Sequence, residues 1–179
     1  MFIRTILLTA ITVLLLIFLL IKIVPFLLKK KSFPRKTSLI FATFLSLTAV
    51  LFFYQSYFFT FDQTNGTRYK GPVESPTGDY TATSYFKEYG GAAGGVHVWV
   101  DITFHDHDNK DKTIYLSDAK GMFSLSWKDD ATLSIVNKDE FEDTSTLLNV
   151  ESDIYHDTGL ACQSLIIKDE YENCYANES

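Results

Sequence analysis

The stretch "VHVWVDITF", Val96–Phe104, sets Val96, Val98, Val100, Ile102 and Phe104 on one side of an extended chain, with His97, Trp99, Asp101 and Thr103 on the other. Successive side chains of a strand point to opposite faces, so this alternation specifies a half-buried β-strand. The pattern persists outward. Upstream, "DYTATSYF" (Asp79–Phe86) is rich in Tyr, Thr and Phe and follows "SPTGD", whose Pro and Gly suit a tight turn. Downstream come "KTIYLSD", "MFSLSW" and "ATLSIVN", separated by "AKG" and "KDD", and then "STLLNV" and "LACQSLIIK" as further strands. Short strands joined by brief polar turns predict a mainly β domain, a small antiparallel sheet or sandwich. The tail "KDEYENCYANES" reads as a short helical turn or an irregular end.

The flanks of the central strand carry its two tempting motifs. Before it lies "GGAAGG" (Gly90–Gly95). A phosphate-binding glycine loop follows a strand, opens a helix and supplies Lys with Ser or Thr; here a strand follows the glycines, so the run reads as a corner that only a missing Cβ permits. After the strand comes "HDHDNKD" (His105–Asp111), where His105, His107 and Asp108 are ligand types for zinc or copper. Three candidate ligands fall short of a structural zinc set, and the EF-hand positions for Gly and Glu hold Asp111 and Ser117. A solvated acidic hairpin loop accounts for the same residues. No Gly-x-Ser-x-Gly elbow occurs, and Asp129 and Asp130 read as a turn after Trp127. No catalytic residue is nominated and no cofactor is expected.

Two apolar runs precede the β pattern. Thr5–Leu28 contains one charge, Lys22, and Ser38–Phe61 contains none. Each is long enough to cross a bilayer core of ~30 Å as a helix. The second ends in Phe52, Phe53, Tyr54, Tyr57, Phe58, Phe59 and Phe61, and aromatic rings favour the membrane–water interface. The first is too long for a signal-peptide core and runs into basic residues without a small-residue cleavage pattern. The connector "KKKSFPRK" carries five basic residues in eight, and short basic loops stay cytoplasmic. All 22 acidic residues fall at or after Asp62, and seven of the 16 basic ones fall before it, so the two parts carry +7 and 9 − 22 = −13. The expected organisation is a transmembrane hairpin over residues 1–61 (spans about 5–28 and 38–61, basic cytoplasmic loop 29–36), then an acidic extracytoplasmic β-rich domain over 62–179. Such a chain is a multi-pass protein of the cell membrane. Its acidity excludes nucleic acid as a partner, since phosphates demand clustered Lys and Arg. The lipid bilayer is the expected partner, with another membrane or cell-surface protein beside it.

Ser75, Pro76, Gly78 and Tyr80, then Gly90–Ala92, then Trp127, Asp129 and Asp130 resemble the pattern of a bacterial membrane-anchored family, the domain of unknown function fifty-four twelve. The resemblance spans about residues 70–157 and closes on "LNVESDIYHD". It implies a tethered β-rich domain and no particular chemistry. The chain departs from it in two respects: it has two apolar runs where a single anchor is usual, and both cysteines lie in a C-terminal extension from about residue 158. Cys162 and Cys174, with eleven residues between them, are expected to form a disulfide outside the cytoplasm. The expected function is a non-enzymatic interaction or accessory module, with His97 and Trp99 as candidate binding surface. The alternative is a metal-binding or metal-dependent hydrolytic domain using His105 and His107.

Overall fold

The computed structural model describes residues 2–28, 32–61, 66–106 and 110–177. Two compact units meet between Phe58 and Phe59. The first holds helices α1 (Phe2–Leu27) and α2 (Arg35–Tyr57), both long and apolar enough to cross a membrane. They pair through Thr12 Oγ1 and Thr48 Oγ1, 2.9 Å apart, and through Gln55 Nε2 donating to Thr5 Oγ1 at 2.6 Å. Pro34 precedes α2, where a missing N–H costs nothing because the first turn's donors have no helical acceptor. Arg35 and Lys36 form the first turn of α2 instead of belonging to the connector; Lys29–Lys31 lie outside the described residues. The apolar run continues to Phe61, but the helix stops at Tyr57. Phe59 and Phe61 pack instead against Ile154, Ala161 and Ile167 in the second unit.

The second unit is built from strands: β1 (Thr67–Arg68), β2 (Val73–Glu74), β3 (Tyr80–Tyr89), β4 (Gly95–Phe104), β5 (Lys110–Asp118), β6 (Met122–Trp127), β7 (Thr132–Lys138), β8 (Thr146–Asn149), β9 (Asp153–His156) and β10 (Asn173–Tyr175). The larger sheet runs β1-β3-β4-β5-β9-β10, with β2 also on β3; the smaller runs β6-β7-β8. Pairing is antiparallel except where β9 lies parallel to β5 and β10 parallel to β9. The chain is thus mainly β after its helices, with a mixed larger sheet.

The two sheets share one core. Val98, Val100, Ile102 and Tyr115 of the larger meet Phe123, Leu133, Ile135 and Leu148 of the smaller. A polar tie crosses it: the fully buried Asn137 donates through Nδ2 to Tyr115 Oη at 2.8 Å and to the Asp118 carbonyl at 2.9 Å, and its Oδ1 accepts from the Lys120 N–H at 2.8 Å. The turns obey local chemistry. Ser75 Oγ accepts from the Tyr80 N–H and Gly78 takes φ +80°, while Asp129 Oδ1 accepts from the N–H groups of Ala131 and Thr132.

The segment "LACQSLIIK", expected as a strand, instead forms a short helix, α3 (Leu160–Gln163), and a tight turn. Gly159 enters it at φ +71°, and Ala161, Ser164 and Ile167 are its buried side chains, a spacing of three that would alternate between the two faces of a strand. The tail contains both a turn, at Lys168–Glu170, and a strand, β10. A disulfide joins Cys162 to Cys174, with Cα atoms 5.5 Å apart.

Candidate functional site

The second face of the larger sheet is covered around Trp99, while the His97 side chain stays 45% exposed. Trp99 is only 5% exposed: Tyr85 stacks on it at 5.7 Å, and Gly66 approaches so closely that a Cβ there would overlap the indole. The candidate surface around His97 and Trp99 is therefore a cleft roofed by the protein's own segment Phe59–Phe61. Its volume is about 270 Å³, and Tyr89, His97, Trp99 and Leu116 form the sheet side. Lys87 and Glu88 stand at its margin.

Glycine positions its edge. Gly90 and Gly91 take φ +75° and +63°, and a Cβ on Gly94 would collide with the Tyr89 carbonyl. The corner therefore folds back tightly, and the absence of a side chain on Gly95 lets the Tyr89 ring lie flat on His97, 4.0 Å away and tilted 17°. Tyr89 Oη donates to Asp118 Oδ1 at 2.9 Å, and His97 Nδ1 lies 3.0 Å from the same oxygen. This hydrogen bond raises the Tyr89 phenol above its ordinary range, so it stays a donor. Asp118 also gives its backbone N–H to Asp157 Oδ2 at 3.2 Å, and Asp157 faces the buried His156, whose Nδ1 is 3.5 Å from Oδ1. Burial lowers the His156 pKa. Its ring stands edge-on to Phe59 at 4.8 Å, and its Nε2 has no hydrogen-bond partner among the described residues.

The result is an aromatic slot with one polar wall, where an acid accepts a hydrogen bond from a phenol and lies beside an imidazole stacked on that phenol. Such a slot takes an apolar or flat group and one hydrogen-bonding atom. Tyr89, Asp118, His156 and Phe59 were not singled out from sequence as site residues. They come from separate segments that no spacing rule connects.

The other expected site residues lie elsewhere. His105 sits in the turn after β4 with Nε2 2.7 Å from Thr81 Oγ1, whereas His107 and Asp108 lie outside the described residues. Among the described residues, no three His, Cys, Asp or Glu side chains converge to hold a metal ion. A more open cleft of about 620 Å³ borders Tyr80, Phe104 and Lys112. Its polar groups pair internally: Tyr80 Oη donates to Glu151 Oε1, and Lys112 Nζ to the Glu151 carbonyl at 2.7 Å.

A family model matches residues 34–157. The chain belongs to DUF5412, a family of unknown function. The DUF5412 match begins just ahead of α2 rather than near residue 70, so it takes in the second apolar helix and every residue of the cleft. Helix α1, the segment from Thr158 and the disulfide fall outside it. No curated protein and no solved structure matches the chain.

Proposed function

We propose that this protein is a membrane-anchored, non-enzymatic recognition module. Helices α1 and α2 cross the membrane as a hairpin with the basic connector in the cytoplasm. The acidic β domain stands on the extracytoplasmic side, where the Cys162–Cys174 disulfide is at home, and its aromatic cleft receives a side chain of another membrane or cell-surface protein. The observation that carries this reading is the cleft itself, in which Trp99, Phe59 and Phe61 offer apolar walls beside the Tyr89–Asp118–His97 group. The charge pattern supports the placement, with positive residues gathered in the short connector and the −13 from Asp62 onward.

Two measurements test it. In intact cells, a membrane-impermeant thiol label should reach Cys162 and Cys174 only after treatment with an impermeant reductant. Thiols that react only after the cells are broken reverse the placement. A photo-crosslinking residue at Glu88, on the cleft margin, should give a discrete adduct that His97→Ala abolishes, while the same residue at Phe141 gives none. Equal adducts from both positions, or adducts indifferent to His97→Ala, dispose of the cleft as the recognition site.

A further inference from the structure

Helix α2 ends at Tyr57, and the Phe58 N–H closes its last turn on the Tyr54 carbonyl at 3.0 Å. Two residues beyond Tyr57, the Phe59 carbonyl accepts a hydrogen bond of 2.7 Å from Ser164 Oγ, a fully buried hydroxyl. An extended chain advances ~3.3–3.6 Å per residue, so Ser164 sits within about 10 Å of the end of α2 however the two units are turned. The covalent chain alone enforces this proximity.

Beyond Ser164 the chain presents an exposed aliphatic pair on a stiff base. Leu165 and Ile166 are 49% and 51% exposed, whereas the next residue, Ile167, is buried with Ile154 and Ala161. Ser164 holds the turn twice more: its Oγ accepts from the Ile166 N–H at 3.2 Å, and its carbonyl accepts from the Lys168 N–H at 3.1 Å. Cys162, on one flank, is bound to Cys174. A loop fixed in this way presents Leu165 and Ile166 without an ordering cost.

We infer that the 164–167 turn is a second membrane contact, with Leu165 and Ile166 seated in the headgroup region of the bilayer that α2 crosses. This rests on the reading of α2 as a membrane span. If α2 leaves the bilayer at its Tyr54, Tyr57 and Phe58 rings, the aliphatic pair lies within reach of the interfacial zone, roughly 5–8 Å deep on each side of the hydrocarbon. The occupant is lipid chosen by apolarity, not by charge. The domain carries −13 and is repelled by anionic headgroups, and Asp169 and Glu170 come just after the turn. Contact on both sides of the Phe58–Phe59 junction limits how far the domain can swing from the membrane and keeps the cleft, whose roof begins at Phe59, beside it.

The test uses the full chain in phosphatidylcholine nanodiscs with brominated acyl chains, reading the emission that an added tryptophan contributes over the parent. Ile166→Trp should be quenched most by bromine near the headgroup and spared by aqueous iodide. Leu47→Trp, mid-way along α2, should be quenched most by deep bromine, and Phe141→Trp should respond to iodide alone. If Leu47→Trp is quenched while Ile166→Trp behaves like Phe141→Trp, the second contact is refuted and the anchor stands. Should Ile166→Trp prove shielded from both quenchers, protein rather than lipid covers the turn, and the inference also fails. Loss of deep quenching at Leu47→Trp removes the anchor reading and the inference with it. Leu165→Trp is the substitute reporter if Ile166→Trp does not form the disulfide.

Discussion

At Gly94 the backbone is ordinary, yet a side chain has no room, because its Cβ would fall on the Tyr89 carbonyl. At Gly91 the reverse holds: φ is +63° and nothing stands nearby. Gly91→Ala should therefore cost about 1 kcal/mol of left-handed strain, and Gly91→Asn less. Gly94→Ala should cost more, about 2–3 kcal/mol of overpacking, and should shift Tyr89 away from Asp118. Thermal denaturation orders the three variants. His156 gives a different prediction. Burial depresses its pKa, so the unfolded chain binds the proton more readily than the folded one. Its contribution to stability is complete above the ordinary histidine value of about 6.5 and is lost as pH falls through the lower folded value. The melting temperature should fall between pH 6.5 and pH 5, and His156→Gln should flatten that slope. An unchanged slope in the variant assigns the effect elsewhere.

Among elements, the β6-β7-β8 sheet is held to β5 by more than apolar packing. Asn137 on β7 satisfies Tyr115 Oη, the Asp118 carbonyl and the Lys120 N–H in a site closed to water. Asn137→Leu keeps the volume, strands the Lys120 N–H and leaves Tyr115 Oη and the Asp118 carbonyl to their weaker second partners, Thr144 and Ser117, so chemical denaturation should show a loss of about 2–3 kcal/mol. The outcome should exceed that of Ser124→Ala, on an exposed position of the same sheet. Legibility in the sequence divides at this scale. The alternation of Val96–Phe104, the Ser75–Gly78 turn and the Asp129 turn are written locally, and each appeared where the pattern put it. The end of α2 and the helical form of "LACQ" were not readable, because both are decided by one distant cluster of Phe59, Phe61, Ile154 and Ala161. The cleft was half legible for the same reason. His97 and Trp99 alternate visibly, but their cover and their polar partners, Tyr89, Asp118 and His156, reach them only through sheet register.

For the molecule as a whole, the disulfide fastens the segment after Thr158 under the β domain, with Tyr171 Oη donating to the Thr113 carbonyl at 2.6 Å as a second fastening. Replacing both cysteines by serine should lower stability by about 3 kcal/mol. Hydrogen exchange should quicken across residues 160–175 before it does along β4; a uniform rise would mean the segment is integral to the core. The larger sheet ends on one side in two-residue strands, β1 and β2, and on the other in the three-residue β10. Long bare edges invite another chain to add itself, and stubs this short do not. Copies confined to a surface meet far more often than copies in solution. If the proposed anchor holds this chain at a membrane, the blunt margins of the larger sheet let such a crowd collide and part again without stitching through that sheet.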